Sequence, residues 1–330
     1  MINNRPDWRE QLRSAVRSGD ELLVRSGIDA ALSEQQRRAA EQFPVLVPPG
    51  LLARIRHGDV DDPILNQVLP LDAETAPQPA GFCPDPLREA DFTPVPGLLH
   101  KYSSRALLIL AGGCAVNCRY CFRRHFPYNE HLADVGAWVD YIASREEIVE
   151  VIFSGGDPLL WRTEQLAKLS DALLDIPHVR MLRIHSRIPV ALPERIDAAF
   201  CDWCSRTAGR APLTVVLHSN CAEEFDASVR SALADLRRSG VQLLNQSVLL
   251  HRINDSVEAL VRLSLELHRS GVLPYYLFLL DAVEGAAHFA VDEGRAREIH
   301  AEVRRSLPGY LVPRLAREVA GEDAKQVLHG

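Results

Sequence analysis

From residue 105 onward the chain alternates between short apolar runs and longer stretches of mixed polarity. The runs fall at 106–110, 149–153, 179–184, 213–217, 241–250 and 272–280, and each has the length and composition of a strand. The stretches between them, roughly 133–146, 163–175, 193–206, 225–239 and 256–269, read as helices. Near-continuous apolar strands joined by helical crossovers predict a parallel sheet with covered faces. Six such units fit a partial TIM-like (β/α)6 barrel; a flat doubly wound sheet is the alternative. No G-x-G-x-x-G follows the first run, which disfavours a dinucleotide fold. The pattern before residue 97 is different. Residues 8–24 favour helix, Ser33 with Gln36 predicts a capping box for a helix running to Phe43, and prolines at 48–49 and 77–86 mark loops. The chain therefore divides into a helical, loop-rich extension (1–97), a β/α core (98–290) and a C-terminal helix with a short tail (291–330).

Polar motifs interrupt this pattern where strands end. Gly112–Gly113 follow the first run, Ser154-Gly155-Gly156-Asp157 the second, His185-Ser186-Arg187 the third and His218-Ser219-Asn220 the fourth. Asn245-Gln246-Ser247 lies within the fifth, and Asp281 ends the sixth. In parallel β/α folds that edge builds the active site.

Composition narrows the classes. The chain has 330 residues, 47% hydrophobic and 25% charged, as a globular protein does. A net charge of −7 argues against a nucleic-acid surface. No apolar stretch reaches membrane-span length, and the N-terminus lacks a signal-peptide core, so a cytoplasmic location is expected. Seven cysteines then read as thiols or ligands rather than disulfides. Lysine is scarce: among 37 basic residues only Lys101, Lys168 and Lys325 are lysines. An amine is indispensable only where it must act as a nucleophile.

The strongest chemical signal is C-A-V-N-C-R-Y-C, with Cys114, Cys118 and Cys121. Three thiolates can hold a [4Fe–4S] cluster while leaving one iron open, whereas structural zinc takes four ligands. The spacing, with Tyr120 before the last cysteine, is that of radical S-adenosylmethionine (SAM) enzymes, in which the open iron chelates SAM. A zinc site completed by His125 or Cys83 is the competing reading. Glycines in Ser154-Gly155-Gly156-Asp157 allow close backbone approach to a ligand, and Asp157 could accept from the SAM ammonium. Arg123 and Arg124 beside the cluster suit capture of a carboxylate. Lys325, in the tail G-E-D-A-K, reads from position alone as an exposed lysine. Cys201 and Cys204 form a C-x-x-C on a helix-like segment and read as packed thiols; Cys83 and Cys221 carry no separate signal.

Together these residues resemble the lysine 2,3-aminomutase family, most of all its short members that make β-lysine for elongation factor P. The resemblance runs from about Leu99 to Lys325. It includes K-Y-S-S-R, C-A-V-N-C-R-Y-C-F-R-R, S-G-G-D-P-L, H-S-R-I-P-V, N-Q-S-V-L-L, D-A-V-E-G-A-A-H-F, G-Y-L-V-P-R-L-A-R-E and G-E-D-A-K. It implies a [4Fe–4S] cluster, SAM and pyridoxal 5′-phosphate (PLP), with Lys325 as the PLP lysine. Tyr102 and Arg105 would contact PLP. Tyr120, Ser154, Gly155, Gly156, Asp157, Arg187, His218 and Gln246 would form the SAM site. Arg123 would hold the α-carboxylate of L-lysine, and Asp281, with Glu318 at the place of a second acid, its ε-ammonium. The implied reaction moves the amino group of L-lysine from C2 to C3, giving β-lysine as the R isomer. Implied partners are a reductant such as flavodoxin or ferredoxin and, through a functional link, elongation factor P with its lysyl ligase, with no nucleic acid or membrane; a homo-oligomer of unspecified size is a further expectation. The sequence departs from the longer relatives by having A-G-E-D-A in place of a glycine run before Lys325, and from the short members by Cys221 where they lead one to expect histidine. The other expectations to be weighed are a PLP-independent, activase-like radical SAM enzyme and a zinc-stabilised partner of the translation machinery.

Overall fold

The computed structural model describes residues 6–128 and 134–328. The first five residues, and residue 133 where the first crossover helix is expected to begin, lie outside the described residues. The expected strands appear as β2 (Arg105–Ala111), β3 (Glu150–Gly155), β4 (Met181–Ser186), β5 (Leu213–His218), β6 (Gln242–Val248) and β7 (Leu273–Phe278). Each pairs in parallel with the next in sequence order. Right-handed crossovers between strands in that order place every helix on one face. The sheet therefore curls around its other face as a partial barrel, and the doubly wound alternative is excluded.

Side-chain alternation divides the two faces. Leu108, Phe153, Leu182, Ile184, Val215 and Leu217 point outward into the main core beneath the helices. Their neighbours Leu107, Ile152, Ser154, Arg183, His185, Thr214 and His218 point inward and line a cavity. The near-continuous apolar runs thus conceal a period-two switch from packed core to binding surface.

The barrel extends beyond the expected six strands. The hairpin strand β1 (Leu98–Tyr102) lies antiparallel to β2, and β8 (Arg314–Arg317) adds a seventh parallel strand. β9 (Gln326–Val327) then folds back antiparallel to β8. The sequence R-L-A-R has no apolar run, because only Leu315 and Ala316 are buried, and so β8 carries no strand signal.

The extension begins with α1 (Trp8–Arg13), α2 (Gly19–Arg25) and α3 (Glu34–Gln42). The Ser33–Gln36 capping box is present and α3 ends at Phe43. The helix-favouring stretch 8–24 forms two helices because Ser14 closes the first and the Ser18 side chain caps the second. Val16 between them bridges to Val47. The extension has its own core, including Val16, Leu22, Leu51, Ile64 and Leu65, which continues onto Val116 of the cysteine loop and Cys221. It is thus packed behind that loop. Among the described residues no helix is long and apolar enough to cross a membrane.

Candidate active site

The interior of the barrel holds a cavity of about 620 Å³. Cys114, Cys118 and Cys121 line one end of it, and Lys325, Glu318, Tyr102 and Arg105 line the other. Two glycine segments shape the cysteine end. Asp157 N donates to Gly113 O at 2.8 Å and Gly156 N to Ala111 O at 2.7 Å. A Cβ on Gly156 would lie 2.0 Å from Gly113 O, so this backbone contact requires glycine. The S-G-G-D turn and the start of the cysteine loop are therefore one unit.

The three cysteines are free thiols. Burial pushes Cys121 up to about 12 and Cys114 well above the usual thiol range. Thiolates there need a compensating cation, which an iron cluster provides. Among the described residues no three His, Cys, Asp or Glu side chains converge on a single-ion site. A [4Fe–4S] cluster places each thiolate on its own iron and does not require that convergence. His125 Nε2 instead meets the Glu284 carbonyl at 3.1 Å, and Cys83 bridges to Val283 through its backbone.

Behind the cysteines lies a buried polar network. Arg187 Nη1 donates to Cys118 Sγ at 2.7 Å and to the Tyr120 hydroxyl at 2.8 Å. Its Nη2 donates to Gln67 Oε1 at 2.8 Å and to Glu224 Oε2 at 3.0 Å. Tyr120 also meets His218 Nε2 at 2.9 Å and accepts from Asn220 Nδ2 at 2.7 Å. Burial, with Arg187 nearby, pushes His218 down to about 4, so its imidazole is neutral. Burial opposes the Glu224 charge, but Arg187 and the Asn220 backbone N–H outweigh it and lower its pKa. Gln246 pairs with His218 across β5 and β6 and lines the cavity beside it.

Asp157 lines the cavity, and its carboxylate is already engaged by the protein. Its carboxylate accepts from Ser186 Oγ at 2.8 and 3.0 Å, Arg187 N at 2.8 Å, Ile188 N at 3.1 Å and Leu159 N at 3.1 Å. Burial nonetheless raises it to about 6. It holds the turn carrying Arg187 and, with Ser154, Gly155 and Gly156, forms part of the cavity wall. Arg124 is also committed elsewhere: it donates to Glu74 Oε2 at 2.9 Å and Gly285 O at 2.9 Å. Arg123 faces the cavity and is paired with Glu89.

At the opposite end the β8–β9 hairpin returns Lys325 to face Glu318. Glu318 accepts from Lys325 Nζ, from Lys101 Nζ at 3.2 Å and from the Tyr102 hydroxyl at 2.9 Å. Burial works against its charge, yet Lys325 and Lys101 bring Glu318 down to about 2. Lys325 and Lys101 pull Asp281 down as well, but they are outweighed. Among the described residues no donor reaches its carboxylate, and burial plus the nearby Glu318 charge push it up to about 7. Lys325 Nζ lies 5.0 Å from the Phe278 ring centre, and the Arg105 guanidinium lies 4.4 Å over the Tyr102 ring. An amine, aromatic walls, a guanidinium and the orphaned, buried His185 Nε2 suit a flat, anionic, aldehyde-bearing ligand such as PLP.

Comparisons with known proteins agree with this architecture. Residues 108–264 match the Radical SAM superfamily. The chain is 47% identical to an L-lysine 2,3-aminomutase of Escherichia coli, covering 98% of this chain and 95% of that one. It belongs to the lysine 2,3-aminomutase family. An L-lysine 2,3-aminomutase of Haemophilus influenzae is 43% identical over 98% of this chain and 96% of its own. One of Clostridium subterminale is 32% identical over 97% of this chain and 77% of its own. Radical SAM enzymes carry a [4Fe–4S] cluster and SAM, and lysine 2,3-aminomutases use PLP.

Within that family frame, the residues that sequence reasoning missed are those reached from outside the motifs. Gln67 comes from the extension and Glu224 from the turn after β5, and neither sits in a recognisable motif. Asn220 was visible as part of H-S-N, but nothing in that tripeptide marks it as the partner of Tyr120.

Proposed function

We propose that this protein is an L-lysine 2,3-aminomutase that forms β-lysine. One observation carries the reading: a single cavity holds three cluster-type cysteines at one end and a cavity-facing lysine at the other. When bound, the cluster with SAM supplies a hydrogen-abstracting radical, and PLP supplies a conjugated ring through which a nitrogen can migrate. Cys114, Cys118 and Cys121 hold the cluster. Ser154, Gly155, Gly156, Tyr120, His218 and Gln246 form the SAM wall, with Asp157 and Arg187 fixing its shape. Lys325 anchors PLP, flanked by Tyr102 and Arg105.

The chain's own work is to bind lysine at both ends and keep it from water. Arg123 takes the α-carboxylate and Asp281 the ε-ammonium. Asp281 suits that task because its carboxylate has no competing donor and holds a proton until a cation arrives. Glu318 adds negative charge nearby, already partly neutralised by Lys101. Opposite anchors fix which carbon faces the radical source, and a misplacement of about 1 Å costs on the order of 10²-fold in rate.

Further parts of the proposal rest on the resemblance to the short members. The product is the R isomer, destined for elongation factor P through its lysyl ligase. Flavodoxin or ferredoxin supplies the electron, and the protein works in the cytoplasm. Lys325→Ala tests the PLP assignment. It should leave the iron–sulfur absorbance intact and abolish β-lysine formation; normal turnover would refute the assignment.

A further inference from the structure

Arg123 already holds a carboxylate from the protein itself. Glu89 takes its side-on edge, with Nε donating to Oε2 at 2.8 Å and Nη2 to Oε1 at 2.6 Å. The two side chains are only 7% and 12% exposed. Nη1 makes longer contacts, 3.3 Å to Ser154 Oγ and 3.2 Å to Gly155 O. A guanidinium presents its N–H groups in a rigid fork with a side-on and an end-on edge. Glu89 fills the first; on the second, formed by Nη1 and Nη2, another carboxylate has only the longer Nη1 contacts to Ser154 and Gly155 to displace.

The placement of Glu89 looks purposeful in its backbone. Arg88, just before it, sits at φ 52°, a left-handed conformation that non-glycine residues adopt uncommonly. Arg88, Ala90 and Asp91 are exposed, yet Glu89 reaches inward to line the cavity with Leu87 and Phe92. Strained backbone that aims a side chain into a cavity is a mark of functional sites.

We propose that Glu89 is a positioning residue for substrate recognition: it fixes the plane of Arg123 so that the end-on edge meets the α-carboxylate of lysine. This rests on the reading of Arg123 given above. Glu89→Gln keeps the shape but sets an amide NH2 against one of the two donors, Nε or Nη2, so the guanidinium turns. The loss falls on ligands that carry a carboxylate. Cadaverine has both amines of lysine and no carboxylate, and its binding should not change.

The test uses the reconstituted holoenzyme and measures KM and kcat for lysine and the inhibition constant of cadaverine. In E89Q the KM for lysine should rise roughly 10- to 100-fold, the scale of a lost charge-assisted hydrogen bond, with a smaller change in kcat. The cadaverine constant should stay put, so discrimination between the two ligands collapses. Glu89→Asp keeps the charge with shorter reach and should fall between. Unchanged discrimination in both variants, even with a lowered melting temperature, would make the pair a structural tie and overturn the proposal. So would tighter lysine binding in E89Q, which would make Glu89 a competitor of the substrate. Failure of the unmodified enzyme to form β-lysine would instead refute the functional reading itself.

Discussion

The two ends of the cavity are built on opposite principles. The cysteine end is a dense network: Arg187, Gln67, Glu224, Tyr120 and Asn220 hydrogen-bond one another, with Arg187 Nε left unpartnered, and two glycine segments lock backbone to backbone. The lysine end is poised for exchange. Three donors converge on Glu318, while Asp281, Arg105 and His185 Nε2 face the cavity with unused capacity. A radical source must be held still and kept dry, whereas the other end must accept and release a cofactor bond and a diamino acid. The difference teaches that rigidity and availability are apportioned within one continuous cavity of a single barrel.

The contrast can be broken from either side. The largest effect is expected from Cys118→Ser, which should abolish cluster iron and sulfide and with them SAM cleavage, while leaving PLP absorbance at the other end. Next comes Glu224→Gln, which strips a buried partner from Arg187. Breaking a buried pair in this way costs about 3–5 kcal/mol, and denaturant unfolding should report it.

A third effect separates the ends by pH. Asp281 is protonated below about 7 and cannot then attract an ammonium. The kcat/KM for lysine should therefore rise with pH through about 7, and Asp281→Asn should flatten that limb and lower the value by roughly 10²-fold. An acid whose folded pKa is raised costs stability progressively once pH passes its unfolded value, fully so above about 7. Asp281→Asn should accordingly unfold at a higher temperature than the unmodified chain at pH above that value. A flat pH profile in the unmodified enzyme would remove Asp281 from substrate binding. The smallest effect is expected at Cys201, which lies on a helix outside the cavity: Cys201→Ser should leave iron content and turnover unchanged.

Legibility in the sequence follows the same division. The cysteine end is written in contiguous motifs, because a loop after one strand and a turn after the next build it, and the barrel itself is written in its apolar runs. The period-two switch inside those runs was hidden because both faces of β2 and β3 carry apolar residues. The lysine end is assembled at long range. Lys325 and Glu318 meet only through the β8–β9 hairpin, and Lys101 reaches them from β1; position alone would leave Lys325 in a solvated tail. The partners of Asp157 and Arg124 were hidden for a related reason. Their motif placement was visible, but the partners that claim them, Ser186 and Glu74, come from elsewhere in the chain.

The central claim, that both ends act on one lysine molecule, is tested most directly by anaerobic reconstitution with iron and sulfide, then incubation of L-lysine with SAM, PLP and reductant. Chromatography should show β-lysine, and its formation should require both SAM and PLP. SAM cleavage with lysine recovered unchanged, or turnover undiminished when PLP is withheld from PLP-free protein, would contradict the account.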